Sequence, residues 1–431
     1  MSISPKELDL FLKYHSPGSR YSYFPSVSYW KNQVSQDSWY KHLQQSYDPQ
    51  KGIDLYIHIP FCESLCTFCG CNIKVTKNKK EGSPYVDAIE TEWNRYKEIL
   101  QVEPNISSIY LGGGTPTFLS DKSLHKIFQF IFPKGPQSLH EGTVEIDPRF
   151  VNLEKLKLFK KYGIKRLSIG IQDLSSTVLE NVNRLQKKEK VEKIVNLARK
   201  LEFEELAFDV IYGLPFQTVE TMTKTFEQII EMSPELVAFY PLATVPWQRK
   251  GQMAFGDFSP PTLEKKYQLY IAGRDSLLQN GYLSTGMGFF IKKESRLGQS
   301  FLNKKIKRNL MSIFSEKSDF LLGLGVSSMS QVKDVLIQNE RILEKYLFEI
   351  GKGGTSLWRT HQRSSLENST QQSFENLISG NTIKNSIPTL KEINKFKEDG
   401  LIEDKQKLLQ ITEKGKDFLK NIFQAIDPYL Q

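Results

Sequence analysis

Short apolar runs alternate with longer amphipathic stretches from residue 53 onward. The runs at 53–59, 106–111, 143–146, 166–171, 206–211 and 236–240 are rich in Ile, Leu, Val and Phe, the pattern of strands covered on both faces. Between them, 85–100, 124–132, 153–162, 188–201 and 219–231 carry apolar residues three or four positions apart, which predicts helices with one buried stripe. Strands alternating with helices predict parallel βα units, and right-handed crossovers curl such a sheet towards a barrel. Six units are fewer than the eight of a closed TIM barrel. The expected fold class is therefore α/β.

The flanks read differently. Residues 1–50 form an N-terminal arm. It opens on a polar helical segment and continues into the aromatic run Gly18-Ser-Arg-Tyr-Ser-Tyr-Phe-Pro25, most simply an arm packed on the barrel. Residues 258–350 bridge away from the last strand: Phe258-Ser-Pro-Pro starts a helix that runs to about Asn280, and Phe320-Leu-Leu-Gly-Leu-Gly-Val-Ser-Ser makes a Gly-rich turn. The barrel with this bridge spans 51–350. Residues 351–431 read as a mostly helical C-terminal domain, in which amphipathic segments at 390–396 and 414–423 flank a hairpin over 400–412. Helix, hairpin and helix suggest a winged-helix shape. Such shapes often bind DNA, but fold does not fix function, and closure over the barrel mouth is the preferred reading.

At 431 residues, with 39% hydrophobic and 25% charged residues, the chain can bury a large core and reads as globular. The net charge is +9, yet Lys and Arg are scattered rather than gathered in one stripe, so no nucleic-acid partner is expected. No apolar run approaches the length of a membrane span, and Met1-Ser-Ile-Ser-Pro-Lys-Glu lacks the apolar core of a secretion signal. No membrane partner is expected. A monomer in the cytoplasm is.

All four cysteines sit within Cys62-Glu-Ser-Leu-Cys66-Thr-Phe-Cys69-Gly-Cys71, directly after the first predicted strand. Thiolates at C-x3-C-x2-C spacing on one loop suit a single soft metal centre. A structural zinc site wants a second ligand pair elsewhere. A thioredoxin-like pair leaves Cys62 idle, and a disulfide framework does not crowd into one loop of a long chain. The favoured centre is a [4Fe–4S] cluster on Cys62, Cys66 and Cys69 with one iron open to a small ligand. Cys71 is either a packed thiol or a neighbour of the centre. Clustered thiols without a disulfide pattern suit a reducing compartment.

Ligands of parallel barrels gather at the C-terminal strand ends. Leu111-Gly-Gly-Gly-Thr-Pro116 follows the second strand, Glu145 ends the third, Gln172 ends the fourth and Asp209 lies in the fifth. The glycine run is neither a P-loop nor a dinucleotide fingerprint; it permits close backbone approach to a ligand. One polar residue at a strand end is usually a cap, whereas several around a cysteine loop suggest one cavity.

The cysteine loop resembles that of radical S-adenosylmethionine (SAM) enzymes. The longer run Tyr56-Ile-His-Ile-Pro-Phe-Cys62, with Cys69-Gly-Cys71-Asn72, resembles the oxygen-independent coproporphyrinogen III oxidase family; related haem chaperones usually lack the Gly-Cys-Asn continuation. The aromatic run at 18–25 is similar to an Arg-Tyr-Thr-Ser-Tyr-Pro element of that family, which gives it a second reading as a cavity wall. The resemblance implies an open three-quarter (β/α)6 barrel and two SAM molecules. Tyr56, Gly113, Glu145 and Met329 would touch the SAM on the cluster, with Tyr56 and Glu145 the candidate catalytic residues. Phe68, Gly114, Thr115, Gln172, Arg184, Asp209 and Ala243 would touch the second. Without the resemblance, Arg184 reads equally well as a surface charge at a helix end.

The implied reaction is oxidative decarboxylation of two propionates of coproporphyrinogen III to vinyl groups, started by hydrogen abstraction at the propionate β-carbon and fed by a low-potential electron donor. Departures fall on the substrate side. Gly288-Phe289-Phe290 stands where the family has Asp-His-Phe, and Leu310-Met-Ser-Ile stands where it has Phe-Gln-Gly-Tyr. Ser364-Ser-Leu-Glu-Asn-Ser-Thr-Gln-Gln replaces a run bearing an Arg pair and a Cys. A radical SAM paralogue with another substrate, for instance a methyl transferase, and a haem-binding chaperone using His58 as axial ligand are the alternatives.

Overall fold

The computed structural model describes residues 5–14, 24–243, 261–316, 318–380, 382–384, 390–405 and 408–430. The aromatic stretch 18–23 and the start of the expected helix at 258–260 lie outside them. Six strands run parallel and in sequence: β1 (Ile53–Ile59), β2 (Ile106–Gly113), β3 (Glu141–Ile146), β4 (Arg166–Gln172), β5 (Glu205–Tyr212) and β6 (Leu236–Pro241). Each expected strand is present. Several extend one or two residues further, because polar and glycine rim residues such as Glu141, Glu205 and Gly113 still pair through their backbones.

Helices α1 (Gly82–Leu100), α2 (Asp121–Ile131), α3 (Leu153–Lys161), α4 (Lys188–Lys200) and α5 (Val219–Met232) connect them. Side chains start three of these: Ser120 accepts from the Ser123 N–H, Asn152 from Lys155 and Thr218 from Thr221, each satisfying a free donor of a first turn.

Beyond β6 the sheet adds β7 (Tyr282–Gly286) and β8 (Phe289–Lys292), both antiparallel. Beyond β1 it adds β9 (Phe320–Leu324), parallel, then β10 (Met329–Val332), β11 (Val335–Gln338) and β12 (Arg359–Gln362) as an antiparallel meander. The twelve strands run β12-β11-β10-β9-β1-β2-β3-β4-β5-β6-β8-β7. The end strands do not pair, so the barrel is open, as the resemblance implied.

Period-two alternation gives the two faces opposite chemistry. Leu55, Ile57 and Ile59 of β1, Ile109 and Leu111 of β2, and their counterparts on β3–β6 join the helices in one apolar core. The opposite face carries Asp54, Tyr56, His58, Tyr110, Glu145, Ser168 and Asp209. At its floor Arg166 meets Glu205 at 2.6 Å, Arg296 meets Glu141 at 2.7 Å and Glu205 at 3.2 Å, and Arg166 donates to the Ile313 carbonyl at 2.9 Å. That last bond ties a small hairpin, Lys307–Arg308 against Ile313–Phe314, into the barrel. A second core joins Phe289 of β8 to Leu10, Phe24, Phe374 and Phe423, so the chain's two flanks share apolar packing with the sheet end near β6.

Helix α1 braces the back of the cysteine loop. Tyr85 donates to the His58 carbonyl at 2.6 Å and accepts from Val326 N–H at 3.0 Å. Two turns on, buried Glu92 accepts from Gly325 N–H (2.8 Å), Asn339 Nδ2 (2.7 Å) and Tyr346 O–H (2.7 Å). Burial outweighs these donors and pushes its pKa up to about 7. A carboxyl whose folded pKa is raised stabilises most below its unfolded pKa, and that contribution is lost as pH rises to the folded value. The stability of wild type relative to Glu92→Gln should therefore fall by roughly 2 kcal/mol between pH 5 and pH 8, measured by denaturant unfolding of both proteins at each pH. A difference that does not change with pH would refute the assignment.

Candidate active site

The cysteine loop leaves β1 through Pro60 and is pinned by parallel pairing of Phe61–Cys62 with Lys74–Val75. The glycine run at the end of β2 lies flat against its base. Gly114 N–H donates to the Ile59 carbonyl at 2.7 Å and Thr115 N–H to the Phe61 carbonyl at 2.9 Å. A Cβ on Gly113 would stand 2.6 Å from His58 Cε1, and one on Gly114 2.8 Å from the Phe61 carbonyl. Glycine is required here by β1 and its loop, whatever ligand also approaches.

None of the four cysteines is in a disulfide. Cys62 Sγ lies 3.4 Å from Thr115 Oγ1, and burial pushes its pKa up to about 12. The charges of Cys66 and Cys69 act on it as well. Cys66 Sγ accepts from Arg184 at 3.6 Å and from Arg149 at 3.8 Å. Both guanidinium groups are held by Asp147, at 3.2 and 2.7 Å. Burial would raise the Asp147 carboxyl, but the two arginines outweigh it and hold the group below its ordinary value. Arg184 also donates to the Gly170 carbonyl at 2.6 Å. It is buried, so of its two readings the surface charge is excluded. Cys71 interacts with Cys69 through its side chain.

Above the loop, Tyr56 O–H and His58 Nδ1 are 2.7 Å apart, and His58 Nε2 lies 3.0 Å from the Asn72 carbonyl. The carbonyl only accepts, so Nε2 carries the proton and Nδ1 accepts from Tyr56. Burial lowers the His58 pKa to about 4 and the ring is neutral. With both nitrogens engaged, His58 has no free lone pair for a haem iron.

Glu145 accepts from Tyr110 O–H (2.8 Å) and Gly113 N–H (2.9 Å), and burial still raises its pKa. Asp209 accepts from Ser168 O–H at 3.1 Å; burial and then the Glu145 charge push it up to about 7. Two inward carboxyls thus share the barrel mouth. Gln172 closes β4 at φ 68°, beside a break in the register with β5. Phe68 packs on the cluster of Val178, Val182, Leu214 and Leu242. Ala243 is exposed after β6, and Met329 opens β10, where its backbone lies against Gly323. The loop, Glu145, Gln172, Arg184 and Asp209 therefore gather at one end of the parallel strands. Asp147, Arg149 and Tyr110 join them without having been singled out in the sequence. Their one signal was position, at or just beyond strand ends beside named residues.

The donor set fits an iron–sulfur cluster. Three thiols share one loop, two cations face the Cys66 sulfur, and a Cβ at Gly70, between Cys69 and Cys71, would meet nothing within 4 Å. Among the described residues no three His, Cys, Asp or Glu side chains close on a single ion. A cuboidal cluster takes its thiolates at separate corners and needs no such convergence.

Three cysteines at the mouth of an open parallel barrel define the radical SAM class, and residues 56–229 match the Radical SAM superfamily. The chain is 29% identical over 444 residues to oxygen-independent coproporphyrinogen III oxidase of Salmonella typhimurium, covering 99% of this chain and 96% of that protein. It is 30% identical over 345 residues to anaerobic coproporphyrinogen III oxidase 1 of Cereibacter sphaeroides, covering 80% and 76%. The solved structure of coproporphyrinogen III oxidase from Escherichia coli, a radical SAM enzyme, superposes with a TM-score of 0.91 at 28% identity over 98% of each chain. The chain belongs to the oxygen-independent coproporphyrinogen III oxidase family. Its cofactors are a [4Fe–4S] cluster and SAM. Among the described residues no helix is long and apolar enough to cross a membrane.

Proposed function

We propose that this protein decarboxylates two propionate side chains of coproporphyrinogen III to vinyl groups, yielding protoporphyrinogen IX. The observation that carries the reading is the end-to-end structural match to the E. coli enzyme, with the three thiols at the barrel mouth outside any disulfide. When bound, the cluster and SAM supply an electron and an organic radical able to take hydrogen from an unactivated carbon.

The chain's own residues then do the following. Cys62, Cys66 and Cys69 hold the cluster, and their thiol protons must leave when iron binds. Asp147 aims Arg184 and Arg149 at the Cys66 sulfur, where N–H donors stabilise negative charge and tune the potential. Glu145, fixed by Tyr110 and Gly113, would receive the amino end of SAM, which a buried carboxylate favours. Tyr56, held by neutral His58, presents a ring beside it. Asp209 and Arg184 would face a second SAM along with Phe68, Gly114, Thr115, Gln172 and Ala243, and Met329 would supply an apolar wall to the first. A low-potential donor must deliver the electron, and the tetrapyrrole is the substrate partner.

Phe289 is buried on β8, and Gly288 sits at φ 79° with the Phe239 carbonyl 2.6 Å from where a Cβ would be. An aspartate at 288 would therefore need a different local backbone. Under anaerobic conditions the reconstituted protein, given SAM, a strong reductant and coproporphyrinogen III, should form the monovinyl and then the divinyl product. Chromatography with mass detection reads both. Cleavage of SAM with neither product would assign the radical chemistry to another substrate.

A further inference from the structure

The described cations of the barrel interior have carboxylates beside them, with one exception. Arg166 and Arg296 pair with Glu141 and Glu205, and Arg149 and Arg184 with Asp147. Arg308, on the small hairpin tied to the barrel floor, has none among the described residues. Its Nε and Nη1 are inaccessible and bond to nothing. Its guanidinium lies 5.2 Å from the Phe289 ring, and among the described titratable groups Tyr240 acts on it electrostatically. Burial pulls it below its ordinary value, yet a guanidinium stays charged in a protein.

The site is placed for a ligand. Leu310 and Met311, just beyond Arg308, pack against the cluster of Tyr56, Tyr110, Phe314 and Leu321, and Tyr110 is the donor to Glu145. Tyr240 and Phe289 form the other wall, edge to face at 5.5 Å. Arg308 as a residue keeps partial exposure, so it is not sealed from solvent on every side. A buried cation without an anion is costly, which makes such a group a candidate for binding one.

We infer that Arg308 is the anchor for a propionate carboxylate of the tetrapyrrole, and that this propionate is one not being decarboxylated in that turnover. The first part rests on the proposed function; the missing anion is the one such a substrate brings. The second part follows from transition-state reasoning. Holding the carboxylate that leaves as CO2 would stabilise the ground state more than the transition state and slow the reaction. Holding a spectator carboxylate stabilises both equally. Arg308 is thus a specificity-determining residue, and Phe289 supports its guanidinium from the ring side.

The test uses the cluster-loaded enzyme with coproporphyrin III and its tetramethyl ester in one mild detergent, read by fluorescence quenching. Wild type should bind the acid at least about tenfold tighter than the ester. Arg308→Met should lose most of that preference, leave ester binding, cluster absorbance and SAM binding unchanged, and melt no lower than wild type. In turnover it should raise KM about tenfold or more with kcat within a few-fold, and Arg308→Lys should recover part of the loss. Equal affinity of wild type for acid and ester overturns the inference without any variant. So does an Arg308→Met enzyme that keeps the preference, or one that loses kcat at unchanged KM. If wild type turns over no coproporphyrinogen, the proposed function and this inference fall together; if wild type is active and only the Arg308 results fail, the inference alone falls.

Discussion

Serine at Cys62, Cys66 or Cys69 is expected to leave a protein that cannot hold its cluster. Visible iron–sulfur absorption after reconstitution should disappear, and SAM cleavage should drop about a thousandfold or more, a barrier change of at least about 4 kcal/mol. The reason is chemical softness: a hydroxyl is a hard ligand that stays protonated, and two thiolates do not hold a cuboidal cluster. Cys71→Ser provides the contrast. Cys71 touches Cys69 rather than completing the C-x3-C-x2-C set, so its variant should keep the absorption. Iron and sulfide analysis of the four variants checks the assignment. Equal cluster content in all four would refute it.

The second large effect concerns Asp147, which neutralises the buried Arg184 and the partly buried Arg149 at once. In Asp147→Ala, Arg149 and Arg184 keep their charges and lose their carboxylate. Breaking a buried pair from one side costs about 3–5 kcal/mol, and here both guanidinium groups also face the Cys66 sulfur. Unfolding in denaturant should show a loss of that order. The cluster should also change: uncompensated positive charge stabilises the more negative, reduced form, so the reduction potential rises and the drive to cleave SAM falls. Asp147→Asn keeps an acceptor and should show the potential shift with a smaller stability loss. Unchanged potentials in both variants would mean that the arginines do not act on the cluster.

The strands of the barrel were legible because their apolar runs are dictated by burial on both faces, and Ile53–Ile59 is read to the residue. The meander β10–β12 was not, because four-residue strands carry too little alternation to separate from turns. The floor was also hidden. Arg166, Glu141 and Glu205 stand at strand starts, where charges usually face water; only cross-strand register brings them together. Of the site, the cysteines, the glycine run, the strand-end Glu145 and Gln172, and Asp209 within β5 were visible from position. Asp147 was masked by its own context, since Asp-Pro reads as a turn. Arg308 carried no signal at all: its meaning lies in the lack of a partner, which is a property of packing.

The central claim is that a radical made at this loop takes hydrogen from the propionate β-carbon. It is tested most directly with coproporphyrinogen III deuterated at that carbon, turned over anaerobically with SAM. The account predicts 5′-deoxyadenosine carrying one deuterium, formed in step with vinyl groups. Deoxyadenosine free of deuterium, with the propionates intact, would contradict it.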